Sequence, residues 1–206
     1  MEVLVVDHPL AAERLTRLRN QDTSPIAFRR VLEELSEFLV YEATRDIAGV
    51  DVTIQTPLQA TSGIEITHPP LIVPVLRAAL GMLDAALKLL PMAEVGFLGV
   101  RRNEETLQPE EYLQTVPSEL NGGDVIILDP MLATGGSASA ALEALERWGV
   151  PRLKLCSVIA APEGIAELES RFESLQIYVC SVDRCLNQHK FILPGLGDAG
   201  DRIFNT

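Results

Sequence analysis

DVIILDPMLATGGSASAALEALERW (residues 124–148) changes its period midway, and that change decides the fold. DVIIL (124–128) ends in a continuously apolar run, the pattern of a strand covered on both faces. A helix is expected from about Gly136 to Trp148, so a strand passes into a helix through a short loop. The same alternation runs along the chain on both sides. LIVPVL (71–76) reads as a strand, residues 79–90 as a helix that tolerates Gly81, and EVGFLGV (94–100) as a strand. LKLCSVIAA (153–161), a helix to about Phe172 and LQIYVCSV (175–182) continue it. Strands alternating with helices of this length predict an α/β fold with a mainly parallel sheet flanked by helices.

Upstream, the signals are helical. Pro9–Arg19 places Leu10, Leu15 and Leu18 on one side. Ser24 is a good N-cap, with Pro25 at the first helical position. Ile26, Val31, Leu32, Leu35, Phe38 and Leu39 then form one apolar stripe that should bury. VDVTIQT (50–56) alternates and is β-branched, which reads as an edge strand. RRNEETLQPEEYLQTVPSE (101–119) is long, acidic and weakly periodic, a solvated loop or β-arm of the length that often serves as a lid.

Composition narrows the function. The 206 residues carry 47% hydrophobic and 5% aromatic side chains, enough for an aliphatic core in one domain, 1–206. With 17 basic and 29 acidic residues the net charge is −12, which argues against a nucleic-acid or anionic-membrane partner. The three cysteines, Cys156, Cys180 and Cys185, show neither disulfide nor metal spacing, so inert thiols and no protein metal cage are expected. No signal-peptide pattern opens the chain and no apolar run approaches ~20 residues. A cytoplasmic protein is expected.

Open parallel sheets bind ligands at the carboxyl ends of their strands. Asp129 falls at such an end, and ATGGS (133–137) falls where a helix begins. N–H groups bared by Gly135 and Gly136 would suit an anion, with Thr134 and Ser137 adding hydroxyls. An ordinary strand-to-helix turn also favours glycine, so these residues alone leave both readings open. No lysine follows the glycines, which disfavours a triphosphate P-loop. A carboxylate beside a monophosphate cradle points to a ribose 5-phosphate unit.

VIILDPMLATGGSA (125–138) resembles the phosphoribosyl-pyrophosphate loop of the type I phosphoribosyltransferases, in the Asp-Pro form of the uracil phosphoribosyltransferases. HPL (8–10), LTRLR (15–19), FRR (28–30) and YEATRD (41–46) resemble that family's N-terminal helical region. VPVLRAALGM (73–82), RNEET (102–106), PEG (162–164) and PGLGDAGDR (194–202) resemble its remaining blocks, so nearly the whole chain is covered. The resemblance implies the type I phosphoribosyltransferase fold, with a β-arm and a small C-terminal hood over the base. It implies conversion of uracil and 5-phospho-α-D-ribose 1-diphosphate (PRPP) to UMP and pyrophosphate, a pyrimidine-salvage reaction. Mg²⁺ would enter mainly on the diphosphate. The resemblance also implies a homodimer or higher homo-oligomer, and a GTP effector as in some relatives.

By the same resemblance, Arg77 and Arg102 contact the diphosphate, and Arg102 and Asp129 join the catalytic set. Asp129 would take the ribose hydroxyls. Pro130, Met131 and Leu132 continue its loop, and Ala133, Thr134, Gly135, Gly136 and Ser137 receive the 5-phosphate. Ile192, Gly197 and Ala199 would meet uracil through backbone groups, and Asp198 would face the diphosphate or the base and help remove the N1 proton. A turn carboxylate capping local N–H groups is the other role open to Asp198. Gly195, Gly197 and Gly200 also spell the dinucleotide fingerprint, but the six residues after Gly200 supply no βαβ unit, so that match is expected to be coincidental.

Three positions depart from the family pattern. Lys190 stands where a glycine is common, Phe191 replaces a tyrosine and loses its hydroxyl, and Ala79 replaces a glycine in the pyrophosphate loop. The 190–191 pair motivates a rival reading, a phosphoribosyltransferase-fold regulator that binds nucleotide or RNA with little turnover. Another base, pyrimidine or purine, is a further alternative, which the intact PGLGDAGD disfavours. His8 and His189 lack a partner carboxylate and are expected to be structural or surface residues.

Overall fold

The computed structural model of the chain describes residues 1–102, 109–115, 123–150 and 152–206. For residues 100–102, 109–111 and 114 only the backbone is described. The chain opens with β1 (Glu2–Val5), α1 (Pro9–Arg19) and α2 (Pro25–Ala43), followed by β2 (Val50–Gln55) and β3 (Ala60–Glu65). The βαβ region comprises β4 (Leu71–Leu76), α3 (Leu80–Leu89), β5 (Phe97–Arg102), β6 (Pro109–Thr115), β7 (Val125–Leu128), β8 (Met131–Leu132), α4 (Gly136–Glu146), β9 (Leu153–Ala160), α5 (Pro162–Glu169) and β10 (Gln176–Val182). β11 (Cys185–Leu186), β12 (Ile192–Leu193) and α6 (Ala199–Phe204) complete the chain.

The main sheet runs β1-β10-β9-β7-β4-β5-β6, with β8 alongside β9. Its pairs are parallel except that of β5 with β6. The alternation of side chains along each strand divides the core in two. Ile72, Ile126, Leu128, Cys156 and Val158 face α1, α2, α3 and α6. Val73, Val125, Ile127, Leu155 and Ile177 face α4 and α5. Burial on both faces explains why these strands read as unbroken apolar runs.

Helix starts follow local chemistry. Ser24 Oγ accepts from Ala27 N–H, with Pro25 inside the first turn. His8 Nδ1 accepts from Leu10 N–H and caps α1, a structural use of that histidine. The expected stripe of α2 needs correction at its start: Ile26 is 75% exposed, and Phe28 is buried instead. Ile26 is five positions before Val31, about 140° around the helix, whereas Phe28 is three before it and shares its face.

The edge strand expected at 50–56 is present as β2, outside the main sheet. β2 pairs antiparallel with β3 in a separate hairpin, closed by Thr56, whose Oγ1 accepts from Leu58 and Gln59 N–H. The two edges of the main sheet are β1 and β6. Lys154, within the apolar run of β9, is fully buried. Its Nζ donates to Ala43 O at 2.7 Å and pairs with Asp46 and Asp124, while Arg152 bridges the same two carboxylates. Burial pushes the Asp46 carboxyl up, but the two cations hold it below the ordinary carboxylate range. This network lies at the amino ends of β7 and β9 and secures α2 to the sheet.

Candidate active site

The chain order of the strands locates the crevice. From β4 the path steps outward to β5, whereas from β7 it steps the other way to β9. The order therefore reverses between β4 and β7, and the carboxyl ends of these neighbours form the topological switch point. Arg77 directly follows β4 and Asp129 directly follows β7. Arg102 is the last residue of β5, next to β4, and its side chain lies outside the described residues.

Asp129 is half-buried. Burial pushes its carboxyl up to about 7, opposed by the Met131 N–H, which donates to Oδ1 at 3.3 Å. A carboxyl poised near neutrality with one local hydrogen bond retains capacity for ligand hydroxyls. Arg77 is exposed, its guanidinium 6.0 Å from the Phe204 ring in α6.

Pro130–Ser137 runs from β7 into α4. Gly135 is the N-cap residue of α4 with φ 81°, a left-handed conformation that a side chain would strain. Thr134 and Ser137 are exposed at this helix start, and the Gly136 N–H donates to Thr134 Oγ1 at a long 3.5 Å. α5 supports the loop from behind: Ala161 N–H donates to Leu132 O at 2.8 Å, and a Cβ on Gly164 would lie 2.5 Å from Ala133 O.

The C-terminal segment forms a second wall. β11 and β12 pair antiparallel, with Leu186 opposite Ile192. Past a cis Leu193–Pro194 bond, Gly195 (φ 66°) and Gly197 (φ 82°) turn the chain into α6. A Cβ on Gly195 would meet Ile192 O at 2.1 Å, so this turn admits glycine alone. Gly197 and Asp198 are exposed, while Ile192 and Ala199 are buried and offer backbone groups. Asp198 Oδ1 accepts from Asp201 N–H at 3.0 Å. It therefore caps α6, one of the two roles open to it.

Two arginines hold this wall to α1, and sequence reasoning missed both. Arg19 forks onto Asp183 at 2.5 and 2.7 Å and donates to Gly195 O at 2.8 Å. Asp183 also accepts from Ser181 Oγ–H and Gly195 N–H. Burial pushes its carboxyl up, but these donors outweigh burial and hold it below the ordinary range. Arg202 donates to Leu18, Leu196 and Asn20 carbonyls, with its guanidinium 4.3 Å from the Phe28 ring centroid. The signal available was LTRLR beside an acidic residue after β10, but its partners lie 164 positions apart.

A family model described as uracil phosphoribosyltransferase matches residues 5–206. The chain belongs to the uracil phosphoribosyltransferase family. A uracil phosphoribosyltransferase of Streptomyces griseus is 49% identical over 209 aligned positions, covering 100% of this chain and 99% of that protein. The solved structure of the AQ2163 protein from Aquifex aeolicus is 41% identical with a TM-score of 0.93, covering 98% of this chain and 97% of that one. A hypoxanthine-guanine phosphoribosyltransferase from Bacillus anthracis, 13% identical with a TM-score of 0.50 over 77% of this chain and 80% of its own, shares the type I phosphoribosyltransferase fold alone.

Two departures from the family pattern now have a structural account. Ala79 has φ −69° at the start of α3, where no glycine is needed. Lys190 has φ 68°, the left-handed region in which the family's glycine would be unstrained. Asn187 supports that turn, its Oδ1 accepting from His189 and Phe191 N–H. Phe191 is 44% exposed.

Proposed function

We propose that this chain transfers the 5-phosphoribosyl group of PRPP to uracil, giving UMP and pyrophosphate, a pentosyltransferase reaction of pyrimidine salvage. The observation that carries this reading is the pairing of Asp129 with the glycine-started helix α4 at the switch point, where Arg77 ends the neighbouring strand. The N1–C1 bond forms as the C1–diphosphate bond breaks, and positive charge develops on the ribose. Asp129 accepts the ribose hydroxyls, and the Ala133–Ser137 backbone and hydroxyls hold the 5-phosphate. Arg77 and Arg102 bind the diphosphate, where a guanidinium fork suits its oxygens. Backbone groups of Ile192, Gly197 and Ala199 read the uracil edge. Asp198, one of whose oxygens caps α6, has a second oxygen for the N1 proton.

Mg²⁺ on the diphosphate would neutralise the leaving group. Among the described residues no group of three or more His, Cys, Asp or Glu is placed for a metal ion. Arg77 and Asp129 are suited to a substrate whose ion is held by phosphate and water oxygens. The exposed apolar side chains of the β2–β3 hairpin, with Leu58 94% and Ile64 76% exposed, support assembly into a homo-oligomer. Among the described residues no helix is long and apolar enough to cross a membrane. The free thiols of Cys156, Cys180 and Cys185 accord with a cytoplasmic setting. GTP as effector rests on the family resemblance.

The direct test supplies PRPP, Mg²⁺ and each free base, and measures nucleotide and pyrophosphate. UMP formed from uracil, with no product from cytosine or hypoxanthine, is the expected result. Folded protein that binds PRPP and makes no UMP would favour the regulator reading. The support behind the loop gives a second prediction. Gly164→Ala pushes a methyl against Ala133 O and should raise KM for PRPP about tenfold, since small misplacements of a binding loop are costly. Initial rates at varied PRPP check this, and an unchanged KM would show that the 5-phosphate does not rest on Ala133–Ser137.

A further inference from the structure

The first turn of α5 touches both walls of the site. On one side, Ala161 N–H is bonded to Leu132 O and Gly164 is packed on Ala133 O, so the helix is seated on the phosphate loop through backbone contacts. On the other side a side chain makes the tie. Leu186 N–H, in β11, donates to Glu163 Oε1 at 2.9 Å. Leu186 is the register partner of Ile192, whose backbone is assigned above to uracil. Glu163 has no part in the roles assigned so far.

We propose that Glu163 is a positioning residue for the base: its carboxylate holds the β11–β12 hairpin against α5 and so sets Ile192 in register with the phosphate loop. The inference rests on the assignment of this hairpin to uracil and of the Ala133–Ser137 loop to the 5-phosphate. The grip is charge-assisted. Leu186 N–H and the residue's own N–H hold the carboxyl below its ordinary range, Lys190 adds to this, and slight burial opposes it. Glu163 is therefore ionised throughout the neutral range. Lys190, the residue that departs from the family glycine, places its charge on the turn joining the two strands that Glu163 holds. A hairpin of two residue pairs is too short to fix its own position: the burial of Ile192 anchors one strand, and Glu163 ties the backbone of the other to α5.

The test is steady-state kinetics of Glu163→Ala and Glu163→Gln beside the parent protein, with thermal melts of each. Glu163→Ala should raise KM for uracil about fivefold, the scale of one lost exposed hydrogen bond, with KM for PRPP and Tm unchanged. Glu163→Gln keeps an acceptor oxygen and should restore most of the uracil KM. An unchanged uracil KM in Glu163→Ala, or equal rises in both KM values, would overturn the proposal, because a merely structural residue moves both substrates together. Absence of UMP from the parent protein would instead overturn the proposed activity, so the two failures are distinguishable.

Discussion

Asp129→Asn is expected to lower kcat/KM for PRPP by about 100-fold and, above pH 7, to raise thermal stability. Both effects come from one environment. The carboxylate offers two charged acceptor oxygens to the ribose hydroxyls, whereas the amide is neutral and replaces one of those oxygens with an NH2 donor, so its hydrogen bonds are fewer and weaker. The loss should fall mainly on kcat if the contact strengthens as charge develops on the ribose, and mainly on KM if it is equal in both states. For stability, the folded-state carboxyl is raised by burial from 3.8 to about 7, so the folded chain binds more protons than the unfolded chain in that window. Stability from this group is therefore full below its unfolded value and is lost as pH rises through about 7. Asparagine carries no such loss. Melts at pH 8 should show the variant with the higher Tm, and a variant both inactive and less stable would mean that Asp129 is a scaffold residue.

The same raised pKa gives a kinetic signature. With the ionised form as the proposed acceptor of the ribose hydroxyls, kcat/KM of the parent protein should climb with pH through an apparent pKa near 7. The phosphates of PRPP titrate in the same region, and Asp129→Asn separates the two: its profile should retain the substrate's limb and lose the enzyme's. Identical profile shapes would show that Asp129 does not titrate during binding.

The βαβ core was legible because burial on both faces leaves a continuous apolar run, as at 71–76 and 125–128. β1, β3 and the β11–β12 hairpin were not read, since short strands with mixed exposure carry little period. The expected β-arm holds at Pro109–Thr115, which pairs antiparallel with β5. Its neighbours 103–108 and 116–122 lie outside the described residues. At the candidate site, the local geometry was readable where one segment builds it, as in the strand-loop-helix of Asp129–Ser137. What escaped reading was support from distant segments. Gly164 behind Ala133, and Arg19 behind Gly195, act through contacts whose partners lie far along the chain. A single sequence shows that a glycine or an arginine is present, and only the fold shows which backbone it approaches.

Asp183→Ala is expected to cost about 3–5 kcal/mol of stability, the scale of removing one partner from a buried ion pair. The Asp183 side chain is 2% exposed and that of Arg19 22%, so solvent screens the pair weakly. Without the carboxylate, the Arg19 guanidinium keeps only Gly195 O and Ser181 Oγ as partners, and Gly195 N–H loses its acceptor. In a chain of 206 residues this corresponds to a fall in Tm of about 10 °C. The pH dependence has the opposite sign to that of Asp129. A depressed carboxyl contributes stability that is present above its unfolded value and is lost as pH falls through its lower folded value. The Tm gap between parent and variant should therefore be constant near neutrality and close in acid below about pH 4. Because Asp183 grips the turn that carries Gly197, which is proposed to meet uracil, KM for uracil should rise more than KM for PRPP. Calorimetry at pH 7 and pH 3 with initial rates at varied uracil decides it: a Tm within about 2 °C of the parent at pH 7 would show that Arg202, through Leu18, Leu196 and Asn20 carbonyls, holds the wall without the Arg19–Asp183 pair.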